Sequence, residues 1–317
     1  MKADRADRLR QLTTQMKVPQ ALTTAGLRER FGDPDNIDAE VGQVRRAEWS
    51  GVSRLVLLIA DEDRFWRVVP VSIEPTGEDE NSLAVGASRT GFPVEVTAWA
   101  GLARVIPAGA LSRLIDQWAP DLVGWCAAST DGRPDVPLGA RVGEPINRYD
   151  PSCTIRAAIR DELDVLADAP LVPVRAEATV DLKAETQRIG LPVVMSALGL
   201  PQGAVMKIVQ GKRTVSDEQA ARLADLFGRA VEDVLASASG LPVDLAIELE
   251  RPRWRARWRS MARRLQITEA AARLMAGTGV VAPAYRQTGA AAPNWGVRVE
   301  YWLTANGYDM DGTPDDR

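Results

Sequence analysis

The chain has 317 residues, 39 basic and 43 acidic side chains and a formal net charge of −4, with 45% hydrophobic residues. That length allows two or three domains, and that composition is globular rather than disordered. Histidine is absent, which excludes Ser-His-Asp and Cys-His catalysis and histidine-ligated metals.

Taken in chain order, residues 1–40 form a helical lead-in. It opens on the charged run MKADRADRLRQL, unlike a signal peptide, and closes on the acidic loop GDPDNID. Residues 41–119 carry short β-type runs, GQVRRAEW, SRLVLLIADED, FWRVVPVSI, SLAVGAS and VEVTAWA, separated by Gly, Asp and Glu clusters. Strands at this spacing with hairpin punctuation predict a small antiparallel, SH3-like barrel. LARVIPAGALSRLIDQW then predicts a strand and a short helix starting near Ala108. Residues 120–150 are rich in Gly, Pro and Asp and read as a linker or long loop. Helical periodicity resumes at Pro151, where Asp150 is a candidate cap and Ile155, Ile159, Leu163 and Leu166 share one face. Residues 151–240 are expected to form one helical domain and residues 241–317 a basic helical region. The fold class expected is therefore α+β and multidomain, with a β half followed by an all-α half. No phosphate-cradling glycine pattern is present and the two cysteines, Cys126 and Cys153, form no metal-ligand cluster, so neither cofactor nor metal is expected. No apolar run reaches the 18 or so residues of a membrane span, so a cytoplasmic protein without membrane contact is expected.

The richest stretch runs from Ile189 to Leu235. Three short apolar-periodic blocks occur there. Gly199-Leu200-Pro201 separates the first two, and Gly211, Lys212 and Arg213 lead from the second to the third. Ser216, with Gln219 three residues on, makes a capping box for the third. In the middle block Val205, Ile208 and Val209 share an inner face, which leaves Gln202, Gly203, Met206, Lys207 and Gln210 outside. This pattern over residues 181–238 resembles the Cro/repressor class of helix-turn-helix domains, also called XRE. The resemblance implies a repressor-like transcription regulator. It would lay the middle helix in the major groove of double-stranded DNA and bind as a homodimer, with Lys212 and Arg213 beside phosphates. Trp295, Tyr301 and Trp302 are the candidate dimer aromatics. Residues 181–238 carry seven basic and seven acidic groups, so phosphate attraction there is weak.

Charge gathers further on. Residues 251–317 have a net charge of +5, and RPRWRARWRSMARR holds Arg251, Arg253, Arg255, Arg257, Arg259, Arg263 and Arg264 without an acid. Trp254, Trp258, Met261 and Leu265 make one helical stripe. The tryptophans are expected to dock this helix. The arginines then face nucleic-acid phosphates, acidic partners in a second protein or in residues 151–250, or, as the least favoured alternative, a membrane surface.

Residues 41–118 also resemble the MazF/PemK-like barrel of toxin endoribonucleases, through Gly42-Gln43-Val44, Arg54 and Val69-Pro70-Val71-Ser72. That resemblance implies a runner-up function in a toxin–antitoxin setting, with Arg54 and Ser72 acting on the RNA 2′-hydroxyl and phosphate. Arginine is a poor general base, and Asp61-Glu62-Asp63 repels RNA. The expectation is therefore no catalytic residue and a barrel used for ligand or protein contact. A scaffold with neither activity is the third alternative.

Overall fold

The computed structural model describes residues 19–73, 77–129, 132–147, 149–174, 180–209, 215–231, 233, 234, 237, 241–284 and 293–308. The chain divides into two compact units, residues 1–169 and 170–317. Residues 1–18 of the lead-in lie outside the described residues. Its end is helix α1, Thr24–Phe31, capped by the Thr23 side chain.

The described residues of the first unit form an antiparallel sheet of eight strands: β1 Gln43–Trp49, β2 Val52–Glu62, β3 Phe65–Ser72, β4 Leu83–Val85, β5 Val96–Ala98, β6 Arg104–Pro107, β7 Leu111–Gln117 and β8 Ala140–Val142. The β1–β2 hairpin turns on Ser50 and Gly51, both at positive φ (47° and 83°). A two-residue turn with the twist of its strands requires that conformation. The ladder order is β7-β1-β2-β3-β5-β4-β8. The outer edge of β3 is shared, with β6 pairing residues 65–68 and β5 pairing residues 71 and 72.

Four expectations change here. Among the described residues β7 and β8 end the sheet without pairing, so the predicted barrel is an open sheet. Its inner face is filled by helix α2, Pro120–Ala127, which buries Leu122, Trp125 and Cys126 among Val44, Leu57, Val69 and Leu83. The supposed linker 120–150 is thus structural, supplying α2 and the edge strand β8. The helix expected near Ala108 is a single 3-10 turn, and Leu111–Gln117 continue as β7 against β1. Helix α3, Pro151–Ala167, was grouped with the domain that follows. It belongs to the sheet unit, where Ile159, Leu163 and Leu166 cover the other face over Val56, Leu58, Trp66 and Ile106. Asp150 caps it as expected, accepting from the Ser152 N–H at 2.8 Å. Covered on both faces, β2 is apolar without alternation at Val56, Leu57 and Leu58.

Two buried charges tie the loops to this sheet. Arg45 donates to the carbonyls of Ser112, Ile37 and Asp38 (2.9, 2.6 and 3.1 Å) and to Gln43 Oε1 at 2.7 Å. Burial pulls its pKa down to about 10, which leaves it charged at neutral pH. Asp116 accepts from Arg30 of α1, the Gly91 N–H and Trp118 Nε1.

The second unit is helical: α4 Leu182–Ile189, α5 Leu191–Leu198, α6 Gln202–Val209, α7 Asp217–Phe227, α8 Val243–Glu250, α9 Arg255–Leu265, α10 Glu269–Ala284 and α11 Trp295–Ala305. Helices α4–α7 enclose one core, with Leu182, Val194, Leu198, Val205, Ile208, Leu223 and Phe227 buried. Helices α8–α11 enclose another, centred on Leu245, Leu249, Trp258, Met261 and Leu303, which also takes in Val172. A parallel bridge joins Val174 to Leu241, so the segment between them leaves and rejoins the α8–α11 bundle at one place. No single helix among the described residues is long and apolar enough to cross a membrane.

Candidate nucleic-acid interface

Helices α5 and α6 meet at a bend of 101° across Gly199-Leu200-Pro201. The chain reverses there because Gly199 adopts the left-handed conformation (φ 63°). Its N–H then bonds the Ser196 carbonyl and the Leu200 N–H the Met195 carbonyl, at 3.3 and 3.2 Å. This is the paired-bond ending that glycine allows at a helix C-terminus. Pro201 precedes α6, and its carbonyl accepts from the Ala204 and Val205 N–H groups. Helix α7 begins with the expected capping box, in which Ser216 Oγ accepts from the Gln219 N–H and Gln219 Oε1 from the Ser216 N–H.

The faces of α6 fall as its periodicity requires. Val205 and Ile208 are buried, Val209 and Met206 are partly buried, and Gln202, Gly203 and Lys207 are exposed. Gln210, Lys212 and Arg213 lie outside the described residues. Several neighbouring cations are already engaged. Arg188 and Arg229 both bond Glu185, at 2.6 and 2.9 Å, and hold its carboxyl below the usual glutamate range. Arg222 bonds Glu218 at 2.6 Å and reaches back to the Ala197 carbonyl at the end of α5.

The arginine-rich stretch is arranged differently from the expectation of outward-facing cations. Its tryptophans do dock: Trp254, Trp258 and Met261 are buried, although Leu265 is exposed. Arg255 and Arg257 are also buried, at 3% and 7% exposure. Arg255 bonds Glu269 at 3.1 Å and Arg257 bonds Glu300 at 2.7 Å. Arg251 and Arg253 pair with Glu248, and Arg259 lies 3.5 Å from Glu269. Arg264 donates to the Gly307 carbonyl and lies over the Tyr308 ring, while Arg263 is exposed. The acidic partners were expected in residues 151–250. Glu248 is there, but Glu269 and Glu300 come from α10 and α11. A buried, carboxylate-paired guanidinium is unavailable to phosphates, so Arg255 and Arg257 serve the bundle; Arg251, Arg253 and Arg259 are also paired but remain 44%, 26% and 39% exposed.

No protein-family model and no curated protein matches this sequence.

The runner-up catalytic pair is likewise committed to the fold. Arg54 Nε bonds Glu162 of α3 at 2.6 Å. Ser72, 1% exposed, accepts from Trp99 Nε1 at 2.9 Å. Among the described residues no group of three or more Cys, Asp or Glu side chains is placed to hold a metal ion. Of the aromatics named for dimerisation, Trp295 and Trp302 are partly buried, with Trp302 stacked on Tyr308, whereas Tyr301 is 76% exposed. Sequence reasoning gave no sign of the clamp on Trp254, whose ring lies beneath the guanidiniums of both Arg253 and Arg257.

Proposed function

We propose that this chain is a sequence-specific regulator that binds double-stranded DNA, with α5 and α6 as a helix-turn-helix and α6 in the major groove. The observation that carries this reading is the 101° bend across a three-residue turn, which lies within the 90–120° crossing of such motifs. The faces of α6 support it. Val205, Ile208 and Val209 are spent on the α4–α7 core, and Gln202 at its N-terminal end is left exposed, where a glutamine amide can bond both N6 and N7 of adenine. One helix of eight residues spans few base pairs, so two copies on two half-sites are part of the proposal. Tyr301 and Val297, both exposed on α11, are candidates for the contact between copies. The sheet unit is assigned to protein or ligand contact. Ribonuclease chemistry is not proposed, because Arg54 and Ser72 are both engaged internally.

The test is recovery of specific fragments from sheared genomic DNA by the full chain, followed by Lys207→Ala. Enrichment of discrete sites, binding at least fivefold weaker in the variant and unchanged circular dichroism are expected. Light scattering should give twice the monomer mass on the recovered duplex. Fragments recovered at random, or no DNA retained near physiological salt, would overturn the reading.

A further inference from the structure

Gly203 stands exposed at the second position of α6, where glycine offers the helix no side chain. Three residues later on the same face stands Met206, and next to it Lys207. Among the described residues nothing asks for the glycine, since a Cβ built there meets no atom of theirs within 4 Å, and its φ lies outside the left-handed region. The helical glycines of the other bundle differ. A Cβ at Gly277 would lie 2.1 Å from Leu241 Cδ1, and one at Gly279 would lie 2.2 Å from Trp302 Nε1. Those two are required by packing. Gly203 makes sense where a surface outside the protein comes close to the helix backbone.

Resting on the reading of α6 as the groove helix, we propose that Gly203 is its point of closest approach to the base edges. With Met206 it forms an apolar strip that selects thymine 5-methyl groups. The strip has no side-chain donor. Guanine O6 and N7 buried beneath it would lose their water without a replacement bond, whereas a thymine methyl gains from burial. Met206 is unbranched, partly exposed and able to fit more than one methyl position. The DNA class implied is a duplex whose half-sites place adjacent A·T pairs under α6.

The test uses the full chain and a duplex selected from a random library. Thymines of each half-site are replaced singly by deoxyuridine, which removes only the methyl. About fourfold weaker binding is expected at each thymine under the strip, the equivalent of one buried methyl. Gly203→Ala should keep or raise the hydrogen-exchange protection of α6 and weaken binding at least tenfold. Gly124→Ala, at an exposed helical glycine of the sheet unit whose Cβ would meet no described atom within 4 Å, should keep or raise the protection of α2 and leave affinity unchanged. Uracil duplexes bound as tightly as thymine duplexes, or a Gly203→Ala protein of undiminished affinity, would overturn the strip while leaving DNA binding intact. If no duplex is enriched, the DNA-binding reading falls and the strip with it.

Discussion

Replacing Glu269 by alanine should open the C-terminal bundle locally, and by a large amount. Its carboxylate accepts from Arg255 and Arg273, 3% and 4% exposed, and lies near Arg259. Breaking a buried ion pair by removing one partner costs about 3–5 kcal/mol. Glu218 provides the contrast. It and its partner Arg222 are both exposed, so water solvates what remains of the pair, and Glu218→Ala should cost about 0.5 kcal/mol. A global melting temperature is ill-defined for a chain of two units. Hydrogen exchange followed by mass spectrometry reads each helix separately. Peptides from α9 and the start of α10 should lose protection by more than a hundredfold in Glu269→Ala, at a factor of ten per ~1.4 kcal/mol. Peptides from β2 should be unchanged. A loss below tenfold, or equal losses in the two variants, would refute the claim that these arginines are structural.

Further outcomes follow from the same contacts. Val205→Asp places a carboxylate in the α4–α7 core at a cost of several kcal/mol, so α6 and α7 should exchange freely; retained protection would contradict the inward placement of Val205. Burial raises the Asp79 carboxyl above the usual aspartate value of 3.8, although the Asn81 N–H and Arg156 oppose it. A raised folded pKa gives stability that is complete below 3.8 and lost as pH rises through the raised value. Asp79→Asn should therefore flatten that decline and leave the sheet unit at least as stable at pH 7. Urea midpoints of β4 protection at pH 4 and pH 7 measure this, and an unchanged slope would count against it. The Cys126 thiol is pushed up to about 12 by burial, whereas Cys153 is only partly buried. A maleimide at pH 8 should add once to the native chain and twice in denaturant; two rapid native adducts would show that α2 is not seated in the core.

Much of this was legible because it is written in local pattern. Strands β1 to β3 announce themselves by β-branched runs between Gly and Asp, and Ser216 and Gln219 mark the start of α7. The inner and outer faces of α6 follow from a period of 3.6. What was missed depends on distant partners. The face of Ile159, Leu163 and Leu166 was visible, but periodicity cannot say which surface it covers, and α3 turned back to the sheet. Residues 120–150 have a linker's composition, yet Pro120 at a helix start followed by Leu122, Val123, Trp125 and Cys126 was the available signal for α2. Leu114-Ile115-Asp116 reads as a helical fragment until β1 is present to pair with it. The arginine stretch misled most. Its cations look free in sequence because Glu269 and Glu300 stand 14 and 43 residues away from Arg255 and Arg257.

The bridge between Val174 and Leu241 makes the proposed DNA-reading module an insertion rather than a link in the chain. Its two ends are neighbours, about one strand spacing (~4.8 Å) apart. Excising residues 175–240 and closing the gap with a short Gly/Ser linker would therefore leave the α8–α11 core with all its buried members, Val172 included. The same geometry would accept a module of different specificity at that port, so what the chain reads can change without altering the bundle that carries it.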